Sequence, residues 1–527
     1  IHVYTMGISA ASAILREALS LGADRAFLLS DRAFAGADTL ATAYTLHLAI
    51  EKTQTEGHNY DLVLCGRMAI DGDTAQIGPE LAEHLNLAHI SDVNDIVQVN
   101  TEQIIVKRQQ DHEEQIIAAS YPLLLTIDKD INQPRLPSLD GVLLAYNKEI
   151  ENWNALDLQA DLNRCGLKGS PTRVVKVEVP LRENNCQFLL GSAQEIAVQL
   201  NALSRKVLDK STIGLGLSDN ENLPSLKNLL IKGQVIKLKE HDLEESELSQ
   251  LENQFWVLGQ IVEENKIHPV TYELLAKAKN LAKFQEIEEL ENSKGLNNLL
   301  DRGRVAEDQA SKNKAYEQNN FENSFKEQED TLITELRPRT KVGLILPNRV
   351  ETEEVLAKAL ASGADFIFNV EGNPNNVFDS NCDFLERLVK IYSPRIILTG
   401  ATDWGRSIAP RLAARLKTGL TADCTELSIV DNLLRQTRPA FGGNMLATII
   451  CSNHKPQMAS VRPGIYKNLL GEQIQEERPE VISPEKEEVK NYKKYIIDCL
   501  PGEKHNETLK LLSRRALDRG QDLQTAR

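Results

Sequence analysis

No metal-ligand framework, no disulfide pattern and no membrane-spanning run can be read in this 527-residue chain. Its seven cysteines, Cys65, Cys165, Cys186, Cys382, Cys424, Cys451 and Cys499, form no C-x-x-C and no zinc spacing. That is reduced, cytosolic usage, and it argues against an iron–sulfur cluster held by this chain. His2, His47, His84 and His454 have no cysteine or carboxylate framework around them for a metal. No apolar stretch approaches the roughly 20 residues that cross a bilayer. The chain opens "IHVYTMG", with no initiator Met and no visible secretory leader. Positive charge is in deficit: 60 Lys and Arg against 76 Asp and Glu give a net charge of −16, which repels nucleic acid and anionic membranes. G-x-S-x-G, H-E-x-x-H and the protein-kinase set are absent, and no Gly-Lys-Ser/Thr marks a P-loop. Nothing points to acid–base or nucleophilic catalysis.

What is present is globular. The chain is 41% apolar and 26% charged and is long enough for two to four domains. "IHVYTMG" reads as a strand, "SAASAILREALS" as a helix and "DRAFLLSD" as a second strand. "LATAYTLHLAIEKT" is a further helix and "YDLVLCG" a short apolar strand. Buried strands alternating with helices predict a parallel α/β sheet. The same grammar returns late in the chain. "LREALSLGADRAFLLSD" (residues 15–31) matches "LAKALASGADFIFNVEG" (residues 356–372), and "DLVLCG…IGPELAEHL" matches "RIILTG…IAPRLAARL" (residues 395–416). Two matches in the same order predict a duplicated α/β domain. "FWVLGQIVEENKIHPVTYELLAKAKNLAK" predicts a strand, a turn and a helix opening the second copy. Residues 286–335, rich in Glu, Asn, Lys and Gln, read as a solvated insertion.

Two loops carry features of a ligand site. "IDGDTAQIG" follows a strand, at the carboxyl edge where open α/β sheets bind ligands. A helix is expected to start between Thr74 and Gly78, with Asp73 or Thr74 as its N-cap. Its first N–H groups favour an anion such as phosphate, and Gly72 and Gly78 permit close backbone approach. Asp71 and Asp73 would repel phosphate, so they are expected to cap the helix, hold the loop or accept from sugar hydroxyls. "FAGADT" offers Ala35, Gly36 and Ala37 before Asp38 and Thr39, a second helix start with room for a ligand. Either loop read by itself is also an ordinary capped βα turn. The second copy's loop, "ATDWGRS", lacks the Asp-Gly-Asp-Thr run, so the two domains are expected to share a fold without sharing a ligand. Arg438 in "QTRPAFGGN" and Arg462 in "SVRPG" sit in tight turns, where they either pair with acidic groups across a domain interface or lie in solvent.

Over most of its length the chain resembles electron-transfer flavoproteins. Residues 1–207 are similar to the beta subunit, through "LREALSLGADRAFLL", "FAGADTLAT", "GRMAIDGDTAQIGPELAEHL" and "VKRQQDHEEQIIAASYPLLLT". In the last of these His112 replaces the usual small or acidic residue. Residues 254–470 are similar to the first domain of the alpha subunit, through "PVTYELLAKAKNLA", "ILTGATDWGRSIAPRLAARLKTGLTADCT", "QTRPAFGGNMLATI" and "PQMASVRPG". Residues 208–253 then form a linker, and residues 471–527 begin the connection towards an alpha FAD domain that the chain does not contain.

The resemblance implies two related parallel-sheet α/β domains of the adenine nucleotide alpha hydrolase-like type. The first is expected to lack the beta subunit's N-terminal strand. Family sites carried over by motif put a nucleotide against Met6, Ala35, Gly36, Ala37, Asp38, Thr39, Gly66, Arg67, Asp71, Gly72, Asp73, Thr74, Ala75, Gln76 and Ile77. That nucleotide is FAD in the electron-bifurcating members and AMP in plain carriers. "FAGADT" with "DGDTAQIG" resembles the bifurcating version, in which NADH supplies a hydride and ferredoxin or flavodoxin takes one electron. A second FAD is expected in the alpha FAD domain. Leu139 matches the apolar anchor that inserts into an acyl-CoA dehydrogenase, although Tyr146 and Asn147 stand where relatives often keep lysines. A redox-inactive nucleotide-binding module is the other class that these residues allow.

Overall fold

The computed structural model describes residues 1–111, 113–180, 192, 196–200, 234–239, 253–263, 266–292, 340–347, 350–371, 379–466 and 509–511. His112, Cys186, Cys499, most of the expected linker and nearly all of the 286–335 insertion and of residues 471–527 lie outside them. The chain builds two α/β units. The first runs β1 (His2–Met6), α1 (Ser12–Ser20), β2 (Arg25–Leu29), α2 (Thr39–Thr55), β3 (Leu62–Gly66) and α3 (Ile77–Leu85). It continues through β4 (Ala88–Val99), β5 (Gln103–Gln110), β6 (Glu113–Ser120), β7 (Leu123–Ile127), α4 (Leu139–Asn147), β8 (Glu151–Trp153) and α5 (Gly166–Gly169). Helix α1 buries Leu15 and Leu19, four residues apart on one face. It ends at Gly22, whose φ of 114° turns the chain into β2.

The second unit starts with β11 (Asn253–Leu258), the small β12 (Ile261–Glu263) and β13 (Lys266–Ile267) hairpin, and α6 (Pro269–Asn292). The strand–turn–helix expected there is present, and the helix continues past Glu286 into the segment expected to be an insertion, partly helical or disordered. Next come β14 (Thr340–Leu346), α7 (Glu353–Ala361), β15 (Phe366–Glu371), α8 (Asp379–Tyr392), β16 (Ile396–Gly400) and α9 (Asp403–Leu416). The unit closes with β17 (Leu420–Cys424), β18 (Glu426–Val430), β19 (Leu433–Ala440), β20 (Met445–Ile450) and β21 (Gln457–Val461). The duplication is visible in detail: α7 ends at Gly363, φ 124°, as α1 does at Gly22.

The second unit's seven-stranded sheet is parallel throughout, in the order β10 (Gln234–Lys239), β15, β14, β11, β16, β21, β17. Phe255, Trp256, Val257 and Leu258 of β11 are all buried, as a strand covered on both faces requires. Its edge strand β10 comes from the segment expected to be a linker. In the first unit's six-stranded sheet β3, β7 and β4 run parallel. β5 and β6 continue the sheet antiparallel, and β22 (Leu509–Leu511) joins its edge. The parallel α/β core expected from the sequence is present, and the antiparallel extension is added where a hairpin turn closed by the Asn100 side chain on Glu102 N and Gln103 N folds β5 back on β4. β1, β2 and β8 form a separate three-stranded sheet. β11 lies between β14 and β16, whereas among the described residues no strand bridges their first-unit counterparts β1 and β3.

The units are tied together. β9 (Arg173–Glu178), from the beta-like part of the chain, completes an antiparallel sheet with β18, β19 and β20 of the second unit. The duplicated helices α3 and α9 pack on each other: Glu83 accepts from Arg411 Nε at 2.5 Å and from Arg415 Nε at 2.6 Å.

Candidate nucleotide site

The 35–39 turn follows β2. Asp38 caps α2 by accepting from Ala41 N at 3.1 Å. The same carboxylate accepts from Thr172 N at 3.0 Å and Thr172 Oγ1 at 2.7 Å, while Asp38 N donates to Ser170 Oγ at 2.7 Å. Leu167 N donates to the Ala35 carbonyl at 3.0 Å, so a later stretch of chain straps this turn down. Thr39 Oγ1 donates to Glu80 Oε1 at 3.0 Å. Met6, at the end of β1, is half-buried against the cluster that contains Phe27 and Phe34.

The 66–77 turn follows β3. The helix begins at Ile77 with Gln76 at its N-cap, so neither Asp73 nor Thr74 caps it. The reason is local. Asp73 (φ 49°) and Ala75 (φ 54°) are left-handed, and they reverse the chain before the helix can start. Such residues cost on the order of 1–3 kcal/mol each and concentrate at functional sites. Gln76 is buried, and its side-chain Nε2 donates across the unit boundary to the Leu420 carbonyl at 3.0 Å. Asp71 Oδ1 accepts from Gly72 N at 2.9 Å, and Asp73 N donates to the Ala69 carbonyl at 2.8 Å, so this loop is held by its own groups.

The glycines divide. A Cβ at Gly66 would meet nothing within 4 Å, and one at Gly72 only the Thr74 side chain. A Cβ at Gly78 would lie 2.2 Å from Thr126 Cγ2, so Gly78 serves close packing of α3 on β7, not approach of a ligand. Around the open edge the chain exposes Ile70 (87%) and Met68 (47%).

Arg67 reaches three carboxylates: Asp92 at 2.7 Å, Asp128 at 3.2 Å and, from the second unit, Asp403 at 3.2 Å. Burial pulls its pKa down, but the three carboxylates outweigh this and raise it. Asp403 also accepts from Asp111 N at 2.8 Å. Asp92, Asp111, Asp128 and Asp403 had gone unnoticed in the sequence. One signal existed: Asp92 and Asp423 each stand thirteen residues beyond the helix prolines Pro79 and Pro410. Both are left-handed (φ 57° and 61°), and the backbone N–H of each donates to a hydroxyl oxygen of the neighbouring strand, Asp92 N to Thr126 Oγ1 and Asp423 N to Ser460 Oγ.

Arg462 pairs with Asp423 of its own unit at 2.5 Å, not across the interface as one expectation had it. Arg438 is buried, and its Nε and Nη2 have no hydrogen-bond partner among the described residues. Burial lowers its pKa; Cys424, Asp423 and Asp73 partly offset that. The second unit also touches the loop directly, with Phe441 N on the Asp71 carbonyl at 3.3 Å. Leu139 lies elsewhere, at the start of α4, and is 76% exposed beside Leu136, Leu143 and Tyr146.

The family model described as "Electron transfer flavoprotein domain" matches the chain twice, over residues 1–158 and 334–491, together more than half of it. The chain belongs to the electron transfer flavoprotein family. Its function is that of the family, electron transfer. An electron transfer flavoprotein subunit beta of Thermoanaerobacterium thermosaccharolyticum is 48% identical over 200 residues, 38% of this chain and 74% of that protein. The caffeyl-CoA reductase–Etf complex subunit CarD of Acetobacterium woodii is 42% identical over 199 residues, 38% of this chain and 74% of its own length. Protein FixA of Bradyrhizobium diazoefficiens is 40% identical over 203 residues, 38% and 70% respectively. Among the described residues no helix is long and apolar enough to cross a membrane, and no group of His, Cys, Asp and Glu is placed to hold a metal.

Proposed function

We propose that the first unit of this electron transfer flavoprotein holds FAD between the 35–39 and 66–77 turns. The observation that carries this reading is the exposed apolar pair Met68 and Ile70 beside the open backbone of Gly66 and Gly72. A planar ring system covers such a surface, and AMP alone has less to cover it with. The residues fit the group in other respects. Helix α3 directs the N–H groups of its first turn to this edge, where a phosphate is favoured. Asp71 and Asp73 suit sugar hydroxyls, and the Arg438 and Arg462 charges near Asp73 offset its repulsion of phosphate.

When bound, FAD supplies the redox chemistry, and the protein sets its position and solvent access. Arg67, neutralised by three carboxylates, fixes the start of the loop against the second unit. No side chain has to act as nucleophile or general acid. The reading extends to electron bifurcation with NADH as hydride donor, ferredoxin or flavodoxin as one acceptor, and an acyl-CoA dehydrogenase docked at Leu139. A cytoplasmic setting accords with the five described cysteines, none of them in a disulfide.

The test is to denature the purified full chain and identify the released nucleotide by chromatography, alongside the visible spectrum of the intact protein. FAD supports the reading. AMP marks a plain carrier or a redox-inactive nucleotide-binding module, and no nucleotide at all refutes the reading. NADH-dependent ferredoxin reduction coupled to an acyl-CoA acceptor then tests bifurcation.

A further inference from the structure

Between the two turns of the candidate site lies a carboxyl that the reading above leaves without a role. Glu80, on the first turn of α3, is 1% exposed. Its Oε1 accepts from Thr39 Oγ1 at 3.0 Å, and Gln76 Nε2 approaches the same oxygen at 3.5 Å. Gln76 in turn holds the Leu420 carbonyl of the second unit. Glu80 Oε2 has no hydrogen-bond partner among the described residues. A buried carboxyl with a spare oxygen is costly where an apolar side chain would serve the packing. Neutralising the facing helix does not account for it: Arg411, at the matching position of α9, takes its carboxylate from Glu83.

We propose that Glu80 is a positioning residue for the nucleotide site, a hydrogen-bonded clamp that holds the 35–39 turn against the 71–77 turn and, through Gln76, both against the second unit. The proposal rests on the nucleotide-site reading. Each contact joins a different segment: Thr39 opens α2, Gln76 precedes α3, and Leu420 opens β17. Burial, with Asp38 nearby, raises the Glu80 pKa well above the usual carboxylate range. A protonated Glu80 would accept at one oxygen and carry the proton on the other, a pattern that Gln reproduces.

The full-length chain is compared with Glu80→Gln and Glu80→Met, where Gln keeps shape and hydrogen bonding and Met keeps volume alone. FAD and AMP are each titrated into nucleotide-free protein by calorimetry, and hydrogen–deuterium exchange is followed without ligand. Glu80→Gln is expected to bind within about threefold of wild type, and Glu80→Met about tenfold or more weaker. Exchange in Glu80→Met is expected to quicken in peptides covering 35–39 and 71–77 and to stay unchanged in α1 and β2. Thr39→Val removes the Thr39–Glu80 bond alone and is expected to quicken exchange at 71–77, in the other turn; this arm decides even if Glu80→Met does not fold. Wild-type affinity and exchange in Glu80→Met, or a Thr39→Val effect confined to its own turn, overturns the proposal. If the wild type binds neither nucleotide, the site reading fails, and exchange still decides the clamp.

Discussion

Glu83→Ala tests how the two units hold each other. Glu83 is 10% exposed at the face where α3 meets α9, and it faces Arg411, 3% exposed, and Arg415, 13% exposed. Deleting the carboxylate removes the acceptor for both guanidinium groups. Breaking a buried pair from one side costs about 3–5 kcal/mol, because a charge stays buried without its partner. Arg415 keeps Asp383 and Glu386, so the cost falls at the low end, about 3 kcal/mol. Glu83→Gln keeps the hydrogen bonds without the charge and should lose about 1–2 kcal/mol. Urea unfolding followed by tryptophan fluorescence reads both units, since Trp153 lies in the first and Trp256 and Trp404 in the second. The double variant Glu83→Leu with Arg411→Met removes both charges and should recover most of the loss. A Glu83→Ala loss under about 1 kcal/mol, or a double variant no better than the single one, would refute the argument that unpaired charge is the source.

Gly78→Ala should destabilise by about 1–3 kcal/mol, since the new methyl meets Thr126 Cγ2 at 2.2 Å; Gly78→Ala with Thr126→Ser removes that methyl's obstacle and should restore the melting temperature. Burial pushes the His84 pKa down to about 4 from 6.5, and burial lowers that of His89 as well. Both are neutral in the fold at neutral pH. Their contribution is therefore complete above the unfolded pKa and is lost as pH falls from about 6.5 towards 4; melting curves across that window should flatten in His84→Gln. Leu139→Ala should leave stability within about 0.5 kcal/mol, because the side chain is exposed, yet slow electron transfer to a dehydrogenase partner in stopped-flow assays.

The sequence by itself determined the repeated α/β units. "LREALSLGAD" and "LAKALASGAD" share an apolar face and a Gly that stops the helix, and those choices are local: helical period, left-handed φ, continuous apolar strands. It also marked the strand-to-helix turns at 35–39 and 66–77, since their composition already departs from ordinary helix or strand. Tertiary structure decided what those turns touch. Arg67 reads as one more loop cation until Asp92, Asp128 and Asp403 converge on it from three segments. Asp38 reads as a cap, yet it also anchors Thr172. Gly78 reads as room for a ligand until Thr126 fills the space beside it. β9 left its own half of the chain for a sheet of the other, because a strand edge is completed by whichever neighbour lies within hydrogen-bonding distance, and sequence distance does not enter that choice.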